Sequence, residues 1–237
     1  MTYKTTKSSA KSIPIQIAID GPAASGKTVV GQALSKIIGC LFVDTGIMYR
    51  GITYSAIENK IPINNQSTLS KFVEKLKIDF LTDQKNQESQ LLINEINVTK
   101  FLKRQDVEYN VSLVSNCKKV RKTMVAKQKQ IAKNKSIVMV GRDIGTVVLP
   151  EAKIKIFLTA SLEVRAARKF HELKTSKICT TENDILLDLK RRDTIDSTRQ
   201  NSPLIIANDA KIIETDSSSI SNTVNKIINI AKQNMNN

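Results

Sequence analysis

Tryptophan is absent from this chain, histidine occurs once, and aromatic residues make up only 4% of it. So few rings offer little on which to stack exposed bases, which weighs against a dedicated nucleic-acid partner despite a net charge of +15. The lysines behind that charge are scattered, as in a compositional drift towards Lys, Ile and Asn, and part of the charge suits a substrate that is itself polyanionic. His171, the single histidine, lies among lysines and reads as solvated surface, so no nucleophile–base pair presents itself. Five prolines and eight glycines are too few for long linkers away from the ends. The three cysteines, Cys40, Cys117 and Cys179, show no C-x-x-C spacing. They suit a reducing cytoplasm, and neither a metal nor a disulfide is assigned to them. No apolar run approaches the length of a membrane span, so no membrane partner is expected. Residues 1–12 are rich in Lys, Ser and Thr, contain no acid and lack an apolar stretch. They read as a flexible tail rather than a secretory signal. The remainder, 13–237, fits one α/β domain.

What is present is concentrated in a few stretches. Ile15–Ile19 is a short apolar strand that breaks into Gly21-Pro22-Ala23-Ala24-Ser25-Gly26-Lys27-Thr28 and then opens a helix over 29–38. This is the G-x-x-x-x-G-K-T pattern between a strand and a helix, the context that makes it a phosphate cradle rather than a chance turn. Gly21 and Gly26 permit backbone conformations closed to other residues, and the helix N-terminus adds its positive end. Lys27 is expected to reach the β- and γ-phosphates of a nucleoside triphosphate, and the Thr28 hydroxyl to bind Mg2+. The loop alone is common to many NTPases.

Beyond it the chain keeps a strand–helix rhythm. Leu41–Val43 reads as a strand ending in Asp44-Thr45-Gly46, with a helix from near Ile47. Residues 77–81 and 90–93 read as two antiparallel strands joined by the polar loop 82–89, inside a lobe inserted at about 61–116. Two helices, 106–116 and 119–132, lead to strands at 136–140 and 154–158, helical stretches around Arg165 and over 182–192, a strand at 211–214 and a terminal helix at 219–233. The sum is a five-stranded parallel sheet wrapped by helices, with the inserted lobe and an arginine-rich lid at about 165–192.

In a chain that otherwise prefers lysine, arginine stands beside acid or hydroxyl at Arg50, Arg142, Arg192 and Arg199. Solvated ion pairs explain any one of them. Four at sheet-edge turns, together with a phosphate loop, point to bidentate grip on phosphate. Transfer to an acceptor that is already anionic needs positioning and charge neutralisation rather than a strong base.

Three further motifs narrow the class: Asp44-Thr45-Gly46-Ile47-Met48-Tyr49-Arg50, Gly141-Arg142-Asp143-Ile144-Gly145 running to Pro150, and Arg192-Asp193-Thr194-Ile195-Asp196-Ser197-Thr198-Arg199 running to Leu204. With the phosphate loop they resemble the bacterial cytidylate kinases over nearly the whole chain, from Ile15 to about Ala231. The resemblance implies a P-loop core and transfer of the γ-phosphoryl group of ATP, with Mg2+, to CMP or dCMP. It implies that Thr45, Arg50 and Arg142 hold the CMP phosphate, with Tyr49 in the substrate-binding set. Ser112, Arg121 and Arg199 are to read cytosine, and Arg192 and Asp196 to hold the ribose. Asp143 is to support the phosphate and metal network, and Arg165 or Arg168 to contact ATP phosphates from the lid. A monomer is expected. Ala24 stands where many relatives carry glycine, an expected stiffening of the loop that keeps its N–H donors, and Cys117-Lys118-Lys119 is a looser lead into Arg121 than the family pattern. Kinases for UMP, AMP or shikimate would share the loop but not the later motifs, and a basic RNA-binding ATPase would need aromatics or a second domain.

Overall fold

A computed structural model describes residues 14–82, 89–175 and 178–235. The expected tail at 1–12, most of the hairpin loop and residues 176–177 of the expected lid lie outside the described residues. The main sheet is built from β1 (Gln16–Asp20), followed by helix α1 (Lys27–Ile38), and β2 (Leu41–Asp44), followed by α2 (Thr45–Glu58). Helix α3 (Gln66–Glu74) then precedes a small sheet of β3 (Ile78–Thr82), β4 (Ser89–Ile93) and β5 (Ile96–Asn97). Helices α4 (Gln105–Asn116) and α5 (Lys118–Ala132) return the chain to the main sheet at β6 (Ile137–Gly141) and β7 (Ile154–Thr159). Helices α6 (Leu162–Thr175) and α7 (Glu182–Thr198) come before the last strand, β8 (Lys211–Glu214), and α8 (Ile220–Met235) closes the fold.

The main sheet has the order β2-β6-β1-β7-β8, and every pairing in it is parallel. Helices cover both faces, so β1 and β6 are apolar on both and lack the alternation of a half-exposed strand. One face packs Ile17, Ile19, Val138, Val140 and Ile156 against Val30, Leu34, Val224 and Ile227 of α1 and α8. On the other, Ala18, Met139 and Ile144 meet Ala132 at the end of α5. Central β1 ends between β6 and β7, with Asp20 in register with Gly141 and Phe157. Its loop therefore opens at the carboxyl edge, where open parallel sheets bind ligands.

The three-stranded antiparallel sheet has its own core. Leu91 and Ile93 of β4 pack with Met48 and Ile52 of α2, Leu69 and Val73 of α3, Val114 of α4, and Val120 and Met124 of α5. The lobe's packing thus draws in helices on both sides of the expected 61–116 segment.

Two element boundaries differ from the sequence pattern for a local reason. Helix α2 starts at Thr45 rather than near Ile47, because the Asp44 carboxylate caps it by accepting from the Gly46 amide at 2.8 Å. Helix α7 runs on to Thr198, so the motif from Arg192 lies on a helix face. A capping box between Thr181 and Asp184 starts that helix, and no glycine or proline interrupts it before Pro203. Among the described residues no helix is long and apolar enough to cross a membrane.

Candidate active site

The loop after β1 is shaped by its backbone. Gly21 has φ 149° and a Cβ there would lie 2.0 Å from the Leu158 carbonyl oxygen, so no side chain fits. Gly26, with φ 91°, is the N-cap of α1 and leaves that helix's first amides without a side-chain cap. Ala24 adopts φ 58°, a left-handed conformation that costs a non-glycine residue about 1–2 kcal/mol. Its backbone is thus one that glycine adopts without strain. Pro22 is half-buried, and Ala23 packs with Ala166, Ile185 and Leu189 of α6 and α7.

Lys27 begins α1 and is buried, its Nζ donating to the Pro22 carbonyl and to Ser25 Oγ at 3.2 Å. Burial, and after it the nearby Arg142 guanidinium, hold its ammonium well below the usual lysine range. Anionic oxygens in the loop would reverse that cost. Thr28 Oγ1 donates to Asp44 Oδ2 at 2.6 Å, which places a carboxylate beside the expected metal-binding hydroxyl. Asp20, at the end of β1, accepts from the amides of Ile144 and Gly145 at 2.8 and 2.7 Å. Burial pushes its pKa up to about 6 despite those two bonds.

Beyond this lies an interlocked set of arginines and carboxylates. Arg121, from α5, pairs with Asp143 at 2.7 Å, both side chains being at most 5% exposed, and its guanidinium lies 5.2 Å from the centre of the Tyr49 ring. Asp143, expected to support the phosphate and metal network, pairs with Arg121. Asp196 of α7 accepts from Arg142 Nε at 2.8 Å and from Arg199 Nη1 at 3.1 Å. Burial raises the Asp196 carboxyl, but Arg142 and Arg199 outweigh it and hold the group below the ordinary aspartate value. Burial, reinforced by neighbouring Arg121, brings Arg199 down to about 10. Ser112, on α4, is buried.

Thr45 Oγ1 donates to the Val140 carbonyl at 2.9 Å and so ties the head of α2 to β6. Arg50, one turn on, donates Nε to Glu108 at 2.6 Å, and Arg192 reaches the same carboxylate at 3.0 Å. Arg165 donates to the Ala23 carbonyl at 3.1 Å and to Asp193 at 2.7 Å, which lays α6 and α7 against the phosphate loop. Arg168 is turned instead to the carbonyl and hydroxyl of Thr215.

The expected residues therefore lie on the loop after β1 and the start of α1, just after β6, or on helices α2, α4, α5, α6 and α7 and the C-cap of α7. The sequence assigns no role to Asp20, Asp44, Glu108 or Asp193, although Asp44 and Asp193 stand inside its motifs. Asp44 carried a signal, since an acid at a strand end just before Thr-Gly is placed to cap a helix. Glu108 carried none, because only the tertiary fold brings α4 to Arg50 and Arg192. Among the described residues, the buried polar atoms without a hydrogen-bond partner include Tyr49 Oη, Arg192 Nε, Asp193 Oδ1 and Arg199 Nη2. Unmet polar groups of this kind are costly in a core and are usual where a ligand completes the bonding.

A glycine-shaped anion cradle at the end of a central parallel strand, beside buried arginines on neighbouring helices, defines a P-loop phosphotransferase for a small anionic acceptor. More narrowly, the chain belongs to the cytidylate kinase family, whose model matches residues 17–233. It is 43% identical to the cytidylate kinase of Enterococcus faecalis over 92% of this chain and 96% of that one. The identity to the cytidylate kinase of Ligilactobacillus salivarius is 40%, over 92% and 97% of the two chains.

Proposed function

We propose that the protein transfers the γ-phosphoryl group of ATP to CMP or dCMP, giving ADP and CDP or dCDP. The observation that carries the reading is the buried Arg121–Asp143 pair beside Arg199 and the unmet donors of Arg192, Arg199 and Tyr49, set next to a phosphate loop. Guanidinium groups offer donors only. They suit the N3 and O2 acceptors of cytosine and oppose uracil, which carries a proton at N3.

In this account ATP lies in the loop, with Lys27 leaving the Pro22 carbonyl to follow charge on the transferring group. The Thr28 hydroxyl and Asp44 carboxylate are hard oxygen donors 2.6 Å apart, a donor set that suits Mg2+ held chiefly by nucleotide phosphates. Bound there, the ion would neutralise charge on the phosphates. Arg50 and Arg142 hold the acceptor phosphate, Arg192 and Asp196 the ribose. The segment 165–192 acts as a lid, Arg165 reaching the donor phosphates from its place against Ala23. Closing it excludes water and protects ATP from hydrolysis. The region at about 61–116 serves as the monophosphate-binding lobe.

A coupled ADP-release assay across nucleoside monophosphates tests this. CMP and dCMP should be the good acceptors and UMP and AMP much poorer ones. Equal turnover of AMP, or none of CMP by folded protein, would overturn it.

A further inference from the structure

Glu108 belongs to none of the motifs above, yet it sits where two of them meet. Its Oε1 accepts from Arg50 Nε at 2.6 Å and its Oε2 from Arg192 Nη1 at 3.0 Å. The three side chains are between 9% and 24% exposed, so the charges are largely out of water. Burial raises the Glu108 carboxyl, but Arg50 and Arg192 outweigh it and bring its pKa down to about 2, which keeps the group ionised through any working pH. The next residue repeats the contact. Arg191 stacks 4.6 Å over the Tyr109 ring and donates to the Tyr109 carbonyl at 3.1 Å. Consecutive residues of α4 thus meet consecutive arginines of α7, and the seam between lobe and lid passes through Glu108.

The bonding at Arg50 is one-sided. Among the described residues Glu108 takes Nε and the two terminal nitrogens make no hydrogen bond, so their end-on edge, with the Asp44 carboxylate nearby, is the one that can grip a phosphate with two parallel bonds. At Arg192 the carboxylate takes Nη1, while Nε stays buried and unpartnered. A carboxylate that engages one nitrogen of each guanidinium fixes both planar groups without consuming their remaining donors. It also offsets the repulsion between two cations brought together from α2 and α7.

We propose that Glu108 is a positioning residue for the acceptor's phosphate, acting through Arg50 and locking Arg50 to the lid arginine Arg192. The proposal rests on the reading of the acceptor as a nucleoside monophosphate. Glu108→Gln keeps the size, removes the charge and turns an amide donor towards one of two donor groups.

The experiment is a double-mutant cycle of Glu108→Gln and Arg50→Met, with KM for CMP, KM for ATP and kcat measured for each protein. The single Glu108→Gln change should raise KM for CMP by about tenfold or more, because a phosphate contact is weakened. KM for ATP should stay within about twofold and kcat within about threefold, since the donor site is untouched. In the Arg50→Met background the same change should cost several-fold less, its route through Arg50 being gone and only that through Arg192 remaining. An unchanged KM for CMP, a parallel rise for ATP, or an undiminished cost beside Arg50→Met would each overturn the proposal. Should Glu108→Gln fail to fold, Glu108→Asp keeps the charge at a shorter reach and must show the same split between CMP and ATP. Wild-type protein that phosphorylates another acceptor instead of CMP would refute the functional reading, an outcome separate from all of these.

Discussion

The two ends of the site, which we read as its donor end and its acceptor end, are built on different principles. At the donor end the backbone does most of the shaping: two glycines and Ala24 at positive φ, and the amides of a helix N-terminus. Its ammonium, that of Lys27, folds back on its own loop. At the acceptor end side chains do it, through buried ion pairs that join α2, α4, α5 and α7 to the strand ends. A backbone cradle is local, so its parts are neighbours in the sequence. A lattice of paired charges is assembled by tertiary contacts across many residues. The donor end is therefore the generic half of the enzyme and the acceptor end the specific half.

Substitutions can break or sharpen this contrast. Lys27→Ala should have the largest effect, a loss of several orders of magnitude in kcat with near-normal thermal stability, since the ammonium acts on charge that develops in transfer. Steady-state kinetics beside a melting curve check it, and activity within a few-fold of wild type would mean the loop is not catalytic. The reverse pattern is expected at the acceptor end. Asp143→Asn strands the Arg121 guanidinium in a buried setting and should cost about 3–5 kcal/mol in denaturant unfolding, besides weakening CMP. A variant of wild-type stability would show that the pair is not integral to the fold.

The acid limb of stability gives the next largest effect. Glu108 has a folded pKa of about 2, below its ordinary 4.5. It therefore contributes stability that is complete above pH 4.5 and lost as pH falls towards 2. The full contribution is on the order of 3 kcal/mol from that shift. Unfolding free energies between pH 2 and 6 should rise less steeply for Glu108→Gln than for wild type, and identical slopes would contradict the pairing. Smallest is Ala24→Gly. The strain relieved at φ 58° is offset by the wider freedom of glycine in the unfolded chain, so stability should move by less than about 1 kcal/mol. Activity should stay within about twofold, since no N–H donor changes. A large loss would mean the methyl group itself shapes the loop.

The same contrast explains how much could be read from the sequence. The strand-to-helix phosphate loop was legible because its chemistry lies within fourteen consecutive residues, Ile15 to Thr28. The five-stranded parallel sheet and the small antiparallel one were legible because buried strands are short apolar runs. The arginines stood out against a lysine-rich background, but their partners did not. Nothing local tells that Glu108 bridges Arg50 and Arg192, or that Asp143 answers Arg121. Likewise Arg165 and Arg168, three residues apart on one helix face, go to different places: the first against Ala23, the second against Thr215.

On this reading, base selection lies in the buried arginines of the acceptor end. It is tested most directly by the ratio of kcat/KM for CMP to that for UMP in Arg121→Met and Arg199→Met. A guanidinium facing the N3/O2 edge of cytosine leaves an unmet donor against uracil, worth about 1–3 kcal/mol, or roughly tenfold or more in the ratio. At least one of these changes should lower CMP turnover far more than UMP turnover and narrow the ratio by about that factor. Loss of both activities in equal proportion in both variants would contradict it and assign these arginines to phosphate or to structure.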